Sequence, residues 1–342
     1  VRLVVVTQTV DADHPALAQT VDIVRALADR CEGVDVLCDR VGRHSLPDNV
    51  AFRTFAAGSR LGRGLRFARG LAGVLRARPD GVLVHMVPTF LVLAAPLART
   101  RRVPLLLWYT HWHASRSLRL ATTLADLVLS VDRRSFPVET PKVRGIGHAI
   151  DVDVFTPAPA GTRGASPLRL LALGRIARWK GYDTMLEALR LAGERGLDAT
   201  LEIRGPELTA DERAHRAELD ALVRNAPALA GRVAFAAPVP RDQIPELLRS
   251  VDALLSATQP TASQTLDKVV FEAAACGVPV VASNSALDEF LGGLPVDLRF
   301  QPRDAEGLAA RLADLAAASS QTRAAVGAEL RRRVVEGHSL DH

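Results

Sequence analysis

The sequence predicts an α/β protein of two doubly wound domains, each a parallel sheet covered by helices on both faces. Three observations carry this expectation. The chain has 342 residues, the length of two ordinary domains. Short apolar, β-branched runs alternate with helix-period segments along most of it. The alternation breaks once, at a Pro-, Gly- and Ala-rich stretch over residues 156–167, and then restarts. Hydrophobic residues at 48% and charged residues at 24% belong to a soluble globular protein and exclude disorder over most of the length, the polar end at residues 336–342 excepted.

Taken in order, residues 1–6 (Val1 to Val6) read as a strand, residues 15–29 as an amphipathic helix and residues 34–38 as a second strand. A helix is expected over 61–76, strands over 81–87 and 104–109, a helix over 117–124 and a strand over 127–130. The apolar run from Gly81 to Ala98 is barely long enough to cross a bilayer and contains His85, Pro88 and Pro96, so a buried strand followed by a short core helix explains it better. Beyond the break, strands are expected at 168–173, 200–203, 233–236, 253–256 and 278–282, with helices at 182–192, 211–224, 241–250 and 267–276. The implied domains are 1–155 and 168–325, joined by a linker at 156–167, with a closing helix or tail over 326–342 that would pack back on the first domain.

Charge is distributed unevenly. Residues 1–150 hold 21 Lys and Arg against 12 Asp and Glu, or +9; residues 151–342 hold 22 against 26, or −4. Much of the excess lies between Arg53 and Arg78, at Arg53, Arg60, Arg63, Arg66, Arg69, Arg76 and Arg78. A solvated helix face explains this blandly; attraction to an anionic membrane surface or a phosphorylated acceptor explains it functionally. No interleaved aromatics or recognised motif accompany the charge, so nucleic acid is not an expected partner. Three scattered cysteines, Cys31, Cys38 and Cys276, suggest neither a disulfide framework nor a zinc site. Together with a start that has no basic-then-apolar leader, they suggest a cytoplasmic protein.

Three segments could carry chemistry. Gly174-Arg175-Ile176-Ala177-Arg178-Trp179-Lys180-Gly181 lies between a strand and a helix, where open parallel sheets bind ligands. Arg175 and Lys180 could there neutralise a diphosphate, although an ordinary basic loop would look the same. The second segment runs from Ser263 through Gln264, Thr265, Leu266, Asp267 and Lys268 into a helix that ends at Gly277. A helix N-terminus favours phosphate. Glu272, inside that apolar helix, must be paired, used, or turned to solvent. The third is Trp108-Tyr109-Thr110-His111-Trp112-His113, which puts two histidines at a strand's carboxyl tip. A packed His beside two Trp is the plain alternative.

The basic turn and the pattern Q-x7-E-A-x-A-x-G-x-P-V-V-A over 264–282 resemble retaining glycosyltransferase family 4, of the GT-B architecture. The segment over 145–157, with Asp151, Phe155 and Pro157, and the closing element Pro302-Arg-Asp304-Ala-Glu306-Gly-Leu308-Ala also resemble that family. The resemblance runs from about residue 105 to 312 and is specific in the second half.

The resemblance implies two Rossmann-like domains facing each other across a cleft, with a sugar moved from a UDP- or GDP-sugar to an acceptor hydroxyl and its anomeric configuration retained. It makes Arg175 and Lys180 the diphosphate-binding cations and Glu272 the ribose ligand, assigns Gln264 to the transferred sugar, and places Gly174, Thr265, Leu266, Asp267 and Lys268 around the donor. By strand position His111 contacts the donor sugar, with His113 the next choice. Gln264 replaces the commoner acid, and Thr265-Leu266-Asp267 replaces a Gly-rich stretch. Gln8, Asp13 and His113 are acceptor-side candidates, and closure at the linker would align the substrates.

Asp11-Ala-Asp13 and Asp151-Val-Asp153 spell D-x-D without the rest of a metal–nucleotide pattern, so no metal and no cofactor are expected. The absence of GxGxxG after a strand argues against an NAD enzyme, and Walker and G-x-S-x-G motifs are absent too. The acceptor could be lipid-linked, a saccharide or a natural-product hydroxyl, with peripheral attachment to the inner membrane face as one option. Two other functions share the fold: a UDP-sugar epimerase, and a nucleotide-sugar-binding protein without catalysis.

Overall fold

The computed structural model describes residues 1–14, 17–111, 113–133, 135–159, 167–259 and 266–342. The chain divides into two compact units, Val1–Ala149 and Ile150–His342.

The first unit holds β1 (Arg2–Val10), α1 (Thr20–Arg30), β2 (Gly33–Val41), β3 (Val50–Thr54), α2 (Arg60–Val74), β4 (Gly81–His85), α3 (Pro88–Arg101), β5 (Leu105–Trp108), α4 (Arg116–Leu124), β6 (Leu127–Ser130) and β7 (Val143–Gly145). Its sheet is wholly parallel, in the order β3-β2-β1-β4-β5-β6-β7. Side chains alternate across a strand, and β1 shows why its run is uniformly apolar. Val4 and Val6 join a core with Phe67, Leu71 and Leu107 on one face, while Val5 joins Val21 and Val24 on the other. The apolar run 81–98 divides into a fully buried β4 and the start of the largely apolar α3, which begins at Pro88 and buries Leu91, Ala94, Ala95 and Ala98.

The second unit holds β8 (Leu168–Leu173), α5 (Tyr182–Glu194), β9 (Ala199–Arg204), α6 (Ala210–Asn225), β10 (Val233–Ala236), α7 (Ile244–Arg249), β11 (Ala253–Ser256), α8 (Lys268–Ala275), β12 (Val280–Ala282), α9 (Asp288–Leu291), α10 (Ala305–Ala317) and α11 (Ser320–Gly337). Its five strands are parallel, in the order β10-β9-β8-β11-β12. The order reverses between β8 and β11, and their carboxyl ends mark the switch point where such sheets take ligands.

The unit boundary falls before the expected linker, whose residues 160–166 lie outside those described. Residues 150–155 pack within the second unit. Ile150 bridges to Ser339, and the Arg331 guanidinium donates to the carbonyls of Val152, Phe155 and Ala275. The closing helix α11 therefore has a defined place on α8: its Gly327 lies so near Gly277 that a Cβ there would stand 2.2 Å from the Gly277 carbonyl oxygen. The short strands β3 and β7 are additions to the sequence reading. Each sits at a sheet edge and offers five residues or fewer, too little for a clear alternation.

Candidate functional site

The turn after β8 is shaped by close backbone approaches. Gly174 has φ +150°, and a Cβ on Gly205, beyond β9, would fall 1.8 Å from the Gly174 carbonyl oxygen. Gly181, at φ +68°, sits against the exit of β11, where a Cβ would meet the Ala257 carbonyl at 2.2 Å. Gly205 and Gly181 leave no room for a Cβ without moving backbone, and the positive φ of Gly174 and Gly181 is one that other residue types rarely adopt. Tyr182, 1% exposed at the start of α5, donates its hydroxyl to the carbonyls of Gly174 (2.8 Å) and Arg175 (3.2 Å). Burial, and then the nearby carboxylates of Asp267 and Glu212, push its phenol far above the ordinary range, so it stays protonated. The Trp179 carbonyl accepts from Gln259, tying the turn to the chain beyond β11.

Arg175 and Lys180 project from this turn, and each meets a carboxylate. Arg175 pairs with Glu212, which also accepts backbone N–H groups of Leu208 and Thr209 and completes the capping box of α6. The Lys180 ammonium lies 2.8 Å from Asp267, and Asp267 accepts the Thr258 hydroxyl at 2.8 Å. Asp267 is the N-cap residue of α8, yet its side chain does not cap the helix. Lys180, Tyr182, Thr258 and Asp267 thus line one small cavity at the ends of β8 and β11, with Leu173 and Ser256. Of the residues expected around one ligand, Lys180 and Asp267 meet at the switch point beside Gly174; Arg175 leaves the same turn toward Glu212 at the start of α6, Leu266 is buried, and Lys268 opens α8. Gln264 and Thr265 lie outside the described residues.

Glu272 is 4% exposed, which removes the solvent-face alternative. Its neighbours Val270, Phe271, Ala273, Ala274 and Ala275 are buried as well, because α11 covers α8 on the side away from the sheet. The Phe271 ring packs at a tilt against Phe290 at 4.7 Å and against His338 at 4.1 Å. The Glu272 carboxylate accepts from Arg241 at 2.8 Å, and Arg241 also lies over the Phe155 ring at 5.4 Å. Arg241, Glu212, Tyr182 and Thr258 were not singled out from the sequence. Only Glu212 had a local signal, the Thr209-x-x-Glu212 capping box.

In the first unit, Gln8 is exposed on β1, past the last β1–β4 partners Val6 and Val84, and so at that sheet's own switch point. Asp13 forms a two-armed pair with Arg43, at 2.6 and 2.9 Å, and this guanidinium holds its carboxyl below the usual range. Asp11 accepts the backbone N–H groups of Asp13 and Arg43, and Asp151 those of Asp153 and Val154. Both D-x-D stretches therefore order their own loops. Among the described residues no group of three or more His, Cys, Asp or Glu could hold a metal.

His111 follows β5 and accepts the His113 backbone N–H at 3.2 Å on Nδ1. Its ring stands edge-on to Tyr109 at 6.4 Å, and the Tyr109 hydroxyl donates to the His113 carbonyl at 3.0 Å. Burial, then the neighbouring His113, lower the His111 pKa. Trp112 lies outside the described residues.

The seven arginines from Arg53 to Arg78 are exposed. On α2 they flank two outward leucines, Leu61 at 89% exposure and Leu65 at 52%. Arg63 reaches Asp39 at 3.4 Å, and Arg66 donates to the Ala56 carbonyl. Among the described residues no helix is long and apolar enough to cross a membrane.

The family described as Glycosyl transferases group 1 matches over residues 167–318, which lie within the second unit and include its switch-point site. A D-inositol 3-phosphate glycosyltransferase of Mycolicibacterium smegmatis is 34% identical over 177 residues, 48% of this chain and 35% of that protein. A 2-deoxystreptamine glucosyltransferase of Streptomyces kanamyceticus is 27% identical over 227 residues, 62% of this chain and 55% of that protein. The chain thus spans between about a third and just over half of the length of these curated relatives. Among solved structures, Anabaena HepE in complex with UDP and glucose superposes with a TM-score of 0.74 at 18% identity, covering 99% of this chain and 96% of that one. Sucrose-phosphate synthase from Thermosynechococcus elongatus superposes with a TM-score of 0.71 at 17% identity, covering 99% and 95%. These likenesses make the fold that of the GT-B glycosyltransferases, two parallel-sheet α/β domains, and the family match with its glycosyltransferase relatives supports a glycosyltransferase.

Proposed function

We propose that the protein transfers a sugar from a nucleoside diphosphate sugar, with UDP or GDP as the nucleotide, to an acceptor hydroxyl with retention at the anomeric carbon. One observation carries the reading. The basic turn after β8 and the N-terminus of α8 meet at the switch point of the second unit, the part of the chain that matches the glycosyltransferase family. Arg175 and Lys180 hold the donor diphosphate there, and Glu272, oriented by Arg241, is the acid for the ribose. Gln264 takes the transferred sugar, and His111 is the first unit's residue for that sugar. No metal takes part.

In the step we propose, the acceptor oxygen bonds to the anomeric carbon on the face from which the diphosphate leaves. The bond from that carbon to the β-phosphate oxygen breaks, and the acceptor proton passes to the departing oxygen. Charge grows on the diphosphate as it leaves, and Arg175, Lys180 and the dipole of α8 stabilise it. Facing carboxylate pairs, the hallmark of glycoside hydrolysis, have no part in this scheme.

A phosphate-bearing acceptor fits the +9 of the first 150 residues better than a cationic one. The names of the two relatives point opposite ways on this choice, one specifying D-inositol 3-phosphate and the other 2-deoxystreptamine, a diamine, and the charge of this chain sides with the first. The phosphate could instead belong to a lipid, and Leu61 and Leu65 among the α2 arginines suit a membrane surface on the cytoplasmic side. Transfer to soluble inositol phosphate and co-sedimentation with anionic liposomes separate the two.

Donor identity follows from a thermal-shift screen of UDP, GDP, ADP and their sugars, since bound ligand stabilises by mass action. Arg175→Ala and Lys180→Ala should each lower turnover by roughly two orders of magnitude with the fold intact. Near-normal turnover in both would refute the assignment. Epimer formation from the nucleotide sugar alone would favour the epimerase, and nucleotide binding without turnover of any acceptor would favour a binding protein.

A further inference from the structure

Both cations assigned to the diphosphate already have carboxylate partners, and the two pairs differ in kind. Glu212 has structural work apart from Arg175: it is 3% exposed and closes the N-terminus of α6. Arg175, with 44% of its side chain exposed, keeps guanidinium surface turned outward. Asp267 has no comparable duty, because it stands at the N-cap of α8 without capping it. Its carboxylate is spent on the Lys180 ammonium and the Thr258 hydroxyl. The side chains of Lys180 and Asp267 are 12% and 15% exposed, so the pair is largely withdrawn from water, beside a cavity at the ends of β8 and β11 too small to hold more than a water while the two stay paired. An oxygen 2.8 Å from a lysine ammonium is where a phosphate oxygen would stand.

We propose that Asp267 is an internal counter-ion that holds the phosphate position on Lys180 and so limits the negative charge the donor site accepts. This deepens the donor-site reading above and rests on it. An incoming diphosphate must displace the Asp267 carboxylate from Lys180 or bind beside it against like charge. Each unit of ligand charge therefore binds less tightly than two cations alone would allow. Asparagine keeps the shape and caps helices well, so Asp267→Asn removes the charge at small structural risk. Asp267→Ser is a second charge-free variant.

The test is calorimetric binding of uridine, UMP and UDP, with guanosine, GMP and GDP in parallel, to the full chain and its variants. Asp267→Asn should tighten the diphosphates about tenfold, equivalent to about 1.4 kcal/mol, the monophosphates less and the nucleosides not at all. In a Lys180→Met background that gain should vanish, because the two groups act through each other. If Asp267→Asn and Asp267→Ser bind diphosphates no better than the unsubstituted chain while Lys180→Met still weakens them, the counter-ion idea falls and the donor site stands. If neither the unsubstituted chain nor any folded variant binds a nucleoside diphosphate, the donor-site reading falls and this inference with it.

Discussion

Replacing Tyr182 with Phe tests whether the turn after β8 is held in place by one buried hydroxyl. The side chain is 1% exposed and its oxygen donates to two successive carbonyls, Gly174 at 2.8 Å and Arg175 at 3.2 Å. Phe fills the same space, so no cavity opens and the whole effect is polar. Losing a net hydrogen bond costs about 0.5–1.5 kcal/mol, and a carbonyl left short of a partner adds to that. Gly174 is only partly buried and water can recover some of the loss, so about 1.5 kcal/mol is expected. For a unit of this size that corresponds to a fall of about 3–6 °C in its unfolding midpoint. Arg175 and Lys180 both leave from the turn the hydroxyl secures, so donor KM should rise together with the loss of stability. The assays are calorimetric unfolding without ligand and donor titration under saturating acceptor. A midpoint and a KM both unchanged from the unsubstituted chain would show that the turn holds its shape without this hydroxyl.

Two further substitutions probe other residues. Arg241→Ala strands the Glu272 carboxylate in a site where it is 4% exposed, and should cost about 3–5 kcal/mol in urea unfolding; a loss below about 1 kcal/mol would mean that other groups neutralise Glu272. Burial and His113 hold the His111 imidazole below its ordinary 6.5, so it is neutral at pH 7. A depressed histidine contributes stability that is complete above 6.5 and is lost as pH falls through the lowered value. If neutral His111 acts on the donor sugar, the acid limb of kcat/KM should have its midpoint below 6.5 and should disappear in His111→Asn; a midpoint above 6.5 would sink the assignment.

How much of this was legible beforehand depends on what each feature is made of. The alternation of apolar runs and helix-period segments placed ten of the parallel strands, because a strand buried on both faces must be apolar at every position, as Val4, Val5 and Val6 are. The basic turn was legible too, since it lies between an apolar run and a helix-period segment and is bounded by Gly174 and Gly181, both at positive φ. What spacing could not reveal was which charges would find each other. Asp267 and Lys180 are 87 residues apart in sequence, and Arg241 and Glu272 are 31 apart. The first meeting depends on how β8, β11 and α8 converge and the second on how the turn before α7 lies against α8, and no local pattern records either. Glu272 illustrates the consequence: it is 4% exposed and its partner Arg241 precedes α7, a residue that reading the α8 segment alone could not bring into play. Cations counted along a sequence are therefore an upper bound on the positive charge a site can offer a ligand. Lys180 and Arg175 each give part of theirs to a carboxylate of the same unit, and the difference between the count and the remainder is the quantity that the Asp267 substitutions measure.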